Sequence, residues 1–285
     1  MVKQVFNIFL TILIINAACI LSGCNNDFSG LVASNDLDYR LESKNSFPFL
    51  DDRGWRDPIT LGVNYKFIVV TDTHFENGDS FGLIDLPSAV TLHNAEFVVN
   101  LGDITQYGAE PEIELFIKIA DDIGVPFYPV IGNHDIYFNN WSVWKELIGS
   151  TNYRIDHSNT TLLVLDTANA FFGDAQIVWL ENELKKNLKE NVFVFTHAPL
   201  FTTGIKMQQV TDTRERTRVI SMLRDKCNIM FMGHSHQRAI NEAGNVQYVT
   251  FEDFKSTNIY CVVYVTGAKS FYEFWKLENG VSTKL

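Results

Sequence analysis

The chain is built from short apolar runs, and several of them end in a polar cluster. Phe67-Ile68-Val69-Val70 leads into Thr71-Asp72-Thr73-His74, and Glu96 to Leu101 leads into Gly102-Asp103. Phe127 to Ile131 leads into Gly132-Asn133-His134-Asp135. Val192 to Phe195 leads into Thr196-His197-Ala198-Pro199, and Ile229 to Met232 into Gly233-His234-Ser235-His236. Runs of this length bounded by turn formers read as buried strands. Between them the apolar period changes to that of a helix. Leu86 to His93, Glu110 to Ile123 (with Pro111 in its first turn) and Trp141 to Leu147 are predicted helices. So are Ala175 to Leu188, with Ile177, Leu180, Leu184 and Leu188 on one face, and Thr213 to Lys226. Tyr153 to Asp156 and Thr161 to Leu165 predict a strand pair, and residues 200–212 a polar loop. Val246 to Phe251, Ile259 to Val265 and Phe271 to Leu277 give a β-rich tail. Alternating strands and helices predict an α/β layered fold, with helices against a central sheet. In such folds ligands gather outside the carboxyl ends of the strands, which is where every polar cluster falls.

The N-terminal part has a different texture. Lys3 precedes a mostly apolar stretch from Val5 to Leu21, followed by Leu21-Ser22-Gly23-Cys24. This has the plan of a secretory signal peptide. The tetrapeptide resembles a bacterial lipobox, which implies removal of residues 1–23 and a lipid on Cys24. Residues 24–46, rich in Asn, Asp and Ser, read as a flexible tether. Residues 47–64 read as an irregular segment on the surface of one domain spanning 47–285, whose motifs occupy 65–285. Of the other cysteines, Cys227 and Cys261 flank apolar runs and read at least as readily as two buried thiols as a disulfide.

Charge removes some partners. The net charge is −11, and losing residues 1–23 removes one lysine and no acid, leaving −12. Nothing in a chain this acidic suggests binding to bulk nucleic acid or an anionic membrane through a basic patch. If it recognises phosphate, a bound metal must supply much of the positive charge.

The strand-end clusters contain five of the seven histidines. His93 and His157 lie elsewhere and read as surface or structural residues. His234 and His236 follow a strand two apart, so in an extended chain their rings leave on one side. Alone, such a pair reads more readily as two loop histidines. Asp72, His74, Asp103, Asn133, His197, His234 and His236 together form an oxygen and nitrogen donor set without thiolate, suited to Mn, Fe or Zn. Seven ligands exceed one tetrahedral ion and suit two divalent ions sharing a carboxylate. Two such ions, about 3.5–4 Å apart, can clamp the attacking and leaving oxygens of a phosphoryl displacement.

Asp-x-His, Gly-Asp, Gly-Asn-His-Asp, a later His and Gly-His-x-His, in that order, resemble the calcineurin-like metallophosphoesterase superfamily. The resemblance implies a β-sandwich flanked by helices, with the metal site at the carboxyl ends of the strands. It implies that Asp72, His74, Asp103 and His236 hold one ion. Asp103, Asn133, His197 and His234 hold the other. His134 then faces the substrate as leaving-group acid or phosphate stabiliser, with Asp135 either orienting it or purely structural. It also implies phosphate-ester hydrolysis by a metal-bound hydroxide. The segment Gly102-Asp103-Ile104-Thr105-Gln106-Tyr107 lacks the Asp-Arg-Gly of protein serine/threonine phosphatases. It also lacks the tyrosine that purple acid phosphatases place three residues after the aspartate. Gly102-Asp103-Ile104-Thr105 with Gly108, and Gln176 to Leu180 with Glu183-Leu184, resemble the cyclic-nucleotide phosphodiesterase-like branch.

The expectation is therefore a dinuclear phosphoesterase acting on a small phosphate ester, a nucleotide among the candidates, with phosphodiesters favoured over phosphomonoesters. It is expected in the bacterial cell envelope, held to a membrane through Cys24 and facing away from the cytoplasm. The competing class is a non-catalytic binding lipoprotein on the same fold, against which the complete ligand set argues. Trp141, Trp144, Phe171 and Phe172 are candidates for lining a substrate pocket, though core packing suits most of them better. Arg214 and Arg216 could reach a phosphate, but a solvated helix face suits them better.

Overall fold

The computed structural model describes residues 37–42, 46–57, 62–76, 78–79, 82–204 and 208–285. The signal-peptide stretch and Cys24 lie outside the described residues. Along the chain come helices α1 (Leu37–Glu42) and α2 (Pro48–Asp51), then strand β1 (Asn64–Val70), α3 (Leu86–His93) and β2 (Ala95–Asn100). Helix α4 (Glu110–Ile123), β3 (Phe127–Pro129), α5 (Trp141–Leu147), β4 (Tyr153–His157) and β5 (Thr160–Val164) follow. Next are α6 (Asp174–Glu183), β6 (Asn191–Phe195), α7 (Thr213–Leu223) and β7 (Ile229–Met232). The chain closes with β8 (Ala239–Ala243), β9 (Val246–Thr250), α8 (Phe254–Thr257), β10 (Ile259–Thr266), β11 (Lys269–Glu278) and β12 (Val281–Lys284).

The strands form two six-stranded sheets, ordered β12-β11-β10-β1-β2-β3 and β4-β5-β6-β7-β9-β8. Each contains a parallel run, β1-β2-β3 at one side of the first and β5-β6-β7-β9 within the second, so the strands of each run end at the same edge. The expected single central sheet is thus a pair of facing sheets, as the family resemblance implied. The period-2 pattern of the apolar runs shows why both faces are dry. Phe193, Phe195, Ile229 and Phe231 point into the core between the sheets, whereas Val192, Val194, Met230 and Met232 pack under α6 and α7. A strand covered on both faces needs an unbroken apolar run rather than alternation. Phe67 sits at the junction, stacked on Phe97 at 4.6 Å and edge-on to Phe193 of the other sheet at 5.2 Å.

Several boundaries differ from expectation. The tether contains α1, whose Leu37, Arg40 and Leu41 are buried. The segment 47–64 contributes Phe47, Phe49 and Leu50 to the main core, with Phe47 edge-on to Tyr153 and Phe49 against Phe116. Helix α6 ends at Glu183, where tighter turns follow, with the Lys185 N–H on the Asn182 carbonyl and the Lys186 N–H on the Glu183 carbonyl, and the Arg154 guanidinium donates to the carbonyls of Glu183 and Asn187. Strands β8 and β12 went unpredicted. They are partly or fully exposed edge strands without an apolar run. His93 and His157 are buried and satisfied, against the hydroxyls of Tyr260 (2.9 Å) and Tyr128 (2.8 Å). Cys227 and Cys261 are both free buried thiols. Among the described residues no helix is long and apolar enough to cross a membrane.

Truncating Phe67 to Ala should open a cavity where the sheets meet and cost about 3–5 kcal/mol of unfolding free energy, read from a urea midpoint. A loss within experimental error would mean that the sheets are held together elsewhere.

Candidate metal centre

The loops leaving β1, β2, β3, β6 and β7 converge on one carboxylate. Asp103 Oδ1 lies 3.2 Å from His197 Nε2, and Asp103 Oδ2 lies 3.8 Å from His74 Nε2. On one flank, Asp72 Oδ1 lies 3.2 Å from His236 Nε2 and 3.9 Å from His74 Nε2. On the other, His197 Nε2 lies 3.1 Å from both Asn133 Oδ1 and His234 Nδ1. The donor atoms fall into sets fit to hold a metal: Asp72, His74 and His236, and Asp103, His197 and His234. A third set, His74, Asp103 and His134, joins the two. All seven residues expected from the sequence are brought together.

The backbone here is unusual. Asp72, His74, Asp103, His234 and His236 all adopt the left-handed conformation, with φ between 46° and 68°. Each such non-glycine residue costs on the order of 1–2 kcal/mol. The two rings of Gly-His-Ser-His therefore do not leave an extended strand in parallel. They leave a turn beyond Met232, and each faces a different donor set. The glycines of the motifs are there for closeness. A Cβ on Gly132 would collide with the backbone and carboxylate of Asp103, and one on Gly233 with Thr71 Oγ1 and Asp72 Oδ2.

Hydrogen bonds fix which atoms are offered. His197 donates Nδ1–H to the carbonyl of Leu101 at 2.9 Å, an acceptor only, which leaves Nε2 as the free ligand atom. Asp72 Oδ2 accepts from the backbone N–H of His234 and the hydroxyl of Thr71, leaving Oδ1 open. Both ring nitrogens of His74 are buried without a hydrogen-bond partner, and Asp72 Oδ1 is buried facing the rings of His236 and His74. Buried, unsatisfied ligand atoms of this kind are what a metal would satisfy, so the donor set fits divalent ions.

Electrostatics agree. Burial holds His74 and His234 neutral, each with its pKa lowered to about 4. Burial also opposes charge on His197 and His236. There it is overcome by Asp103 and Asp72 respectively, which lift both to about 9. The same imidazoliums hold the two carboxyls below their ordinary range despite complete burial. Without metal, two protons thus balance two carboxylates.

His134 sits at the edge of this array, its Nε2 3.9 Å from Asp103 Oδ2. It donates Nδ1–H to the Gln106 carbonyl at 2.8 Å, and Tyr137 Oη lies 3.0 Å from its Nε2. Asp135 spends its carboxylate on the backbone N–H groups of Ile104, Thr105 and Gly132 and the Thr105 hydroxyl, so it holds the loop behind Asp103. The ring is oriented by Gln106 instead. Burial and the charge of Asp103 raise Asp135 to about 7.

Sequence reasoning missed Tyr137, whose only signal is its place one 3-10 turn beyond His134. It also missed Asp253, which caps α8 and lies 3.8 Å from His236 Nδ1. Lys255, which reaches Gln106 Oε1 at 3.2 Å, carried no signal either. Trp141, Trp144 and Phe172 are buried in the core. Arg214 is exposed on Asp212, and Arg216 caps the Val210 carbonyl.

The chain matches the calcineurin-like phosphoesterase family over residues 65–238. It is 26% identical over 195 residues to a probable glycerophosphodiester phosphodiesterase GpdQ of Arcobacter nitrofigilis, covering 60% of this chain and 71% of that protein. It is 25% identical over 202 residues to a probable cyclic nucleotide phosphodiesterase of Fibrobacter succinogenes, covering 64% and 77%. In fold it is similar to a dimetal phosphatase from Danio rerio, with a TM-score of 0.55 at 16% identity, covering 76% of this chain and 99% of that one. The matched span contains all seven gathered residues; by this match the chain belongs to the calcineurin-like phosphoesterases and is a metal-dependent phosphoric ester hydrolase.

Proposed function

We propose that the protein hydrolyses small phosphodiesters at a centre of two divalent ions bridged by Asp103. The observation that carries this reading is the single Asp103 carboxylate between two imidazole sets, 3.2 Å from His197 on one oxygen and 3.8 Å from His74 on the other. Asp72, His74 and His236 would complete one site, and Asn133, His197 and His234 the other. Such ions, of the Mn, Fe or Zn type, would neutralise phosphoryl charge and acidify water.

The protein's own groups do the rest. With Nδ1–H committed to the Gln106 carbonyl, His134 exchanges its proton at Nε2. Protonated there, it is held by the negative Asp103 and can pass that proton to the departing alkoxide oxygen. The Tyr137 hydroxyl can accept from Nε2–H before transfer and donate to the bare nitrogen afterwards. A diester is favoured because both sequence relatives are named for diesterase activities. Envelope display through a lipid on Cys24 belongs to this reading, supported by the Leu-Ser-Gly-Cys signature.

Asp103→Asn should lose metal and hydrolysis together, whereas His134→Ala should keep its metal and lose about 10²–10⁴-fold in kcat. Retained turnover in Asp103→Asn sinks the bridged centre. Loss of metal in His134→Ala makes His134 a ligand. Comparing a bis-ester and a mono-ester of one chromogenic alcohol checks the substrate class, with the bis-ester expected to turn over faster.

The pKa shifts predict a pH signature. His197 and His236 are raised from 6.5 to about 9, so their contribution to metal-free stability is full below 6.5 and lost as pH rises through about 9. His74 and His234 are lowered to about 4, so theirs is full above 6.5 and lost as pH falls through about 4. The metal-free protein should therefore melt highest near neutrality. Metal uptake at pH 7 should release about two protons, measured by calorimetry in buffers of different ionisation enthalpy. Uptake without proton release would contradict the charge assignment. Finally, Cys24→Ser should move the protein from the membrane fraction to the soluble envelope fraction. An unchanged distribution would refute the lipid anchor.

A further inference from the structure

Upstream of residue 65, where the family match begins, the chain reaches into the scaffolding of the site. Arg40 of α1 and Asp166, just beyond β5, form a two-pronged ion pair with both side chains fully excluded from solvent. Arg40 Nε donates to Asp166 Oδ2 at 2.8 Å and Nη2 to Oδ1 at 2.9 Å. Oδ1 also accepts the Ala168 N–H at 3.0 Å. The buried Gln176 side chain grips the same residue, accepting its N–H at 2.8 Å and donating to its carbonyl at 2.7 Å. A buried ion pair of this kind is a poor source of stability, because apolar residues of the same volume would serve as well. What it does is fix a loop in one position.

That loop carries the strand end that bears His197. Thr196 Oγ1 lies 2.8 Å from Thr167 Oγ1 and donates to the Leu165 carbonyl at 3.2 Å. The Ala198 N–H donates to Thr167 Oγ1 at 2.8 Å. Both neighbours of His197 therefore hang on residues 165–167. The His197 ring lies within 3.2 Å of Asn133, Asp103 and His234. We propose that Arg40 is a positioning residue for His197, acting through Asp166 and Thr167, and that α1 is a strap that completes the metal site on that flank. This rests on the two-ion reading above. If Arg40 is removed, an uncompensated carboxylate is left in the interior. The 165–167 loop must shift to hydrate it, and the hydrogen bonds to Thr196 and Ala198 shift with it. The flank of His236, Asp72 and His74 is one step further removed, reached through the Gly233 N–H that donates to the His197 carbonyl at 2.9 Å, and is disturbed less.

The test is a Mn²⁺ titration of the full chain by calorimetry, beside its melting temperature. The unaltered protein is expected to take up two equivalents. In Arg40→Met one equivalent should bind about 10–100-fold more weakly, the usual effect of losing a group that supports a ligand, and the other should be much less affected. Adding Asp166→Asn removes the stranded charge and should recover part of the loss. Arg40→Lys keeps the charge but not the fork. It should weaken the same equivalent by less, and it carries the test if the Met variant does not fold. If both equivalents bind normally in Arg40→Lys and in any folded Arg40→Met, the pair is structural only and the inference falls, whatever the melting temperature does. Equal weakening of both equivalents also overturns it, as general loosening. Fewer than two equivalents in the unaltered protein overturns the two-ion reading itself, and the inference with it.

Discussion

The site depends on one buried carboxylate that has to face two ways. Asp103 lies almost wholly out of water, where an ion without partners is costly. It is tolerated because His197 and His74 approach its two oxygens and the His134 N–H donates to it at 2.9 Å. Asp72 is equally buried on the first flank, beside His236 and the His234 N–H. Two carboxylates this close repel each other, and each lies beside an imidazole that Coulomb attraction keeps protonated without metal. The arrangement is stable only while positive charge sits between them, whether as protons or as metal.

Backbone strain follows from that constraint. Parallel strands deliver their carboxyl ends to one edge, but the gathered side chains must then turn inward within two or three residues. Five of them do so through left-handed conformations. The strain is borne by two dry interfaces, one between the sheets around Phe67 and one between the second sheet and α6 and α7. Behind the ligands, Asp135 and Asn100 anchor the Asp103 loop through backbone N–H groups. Asp253 caps the short helix whose first two N–H groups donate to the carbonyls of Thr71 and Asp72.

Much of this was legible in the sequence because buried strands need apolar runs and ligands need particular atoms. The run Val192-Phe193-Val194-Phe195 marks its strand, and the polar cluster after it contains His197, which the structure brings beside Asp103 and His234. What stayed hidden depends on contacts between distant residues. Nothing about Arg40, in a stretch rich in Asn, Asp and Ser, marks it as buried against Asp166. Tyr137 and Gln106 reach His134 through a 3-10 turn and a backbone carbonyl, neither of which has a residue signature. Strands β8 and β12 lie at sheet edges, where one-sided burial relaxes the demand for apolar residues. His234 and His236 do not leave in parallel for a local reason: the turn begins at Gly233, directly after the strand ends at Met232.

The central claim is that Asp103 lies between two metal ions. Anomalous diffraction from crystals soaked in Mn²⁺ measures this most directly. The account predicts two peaks, one on each side of the Asp103 carboxylate and about 3.5–4 Å apart, with His236 beside one and His234 beside the other. A single peak, or two peaks that do not share Asp103, would contradict it.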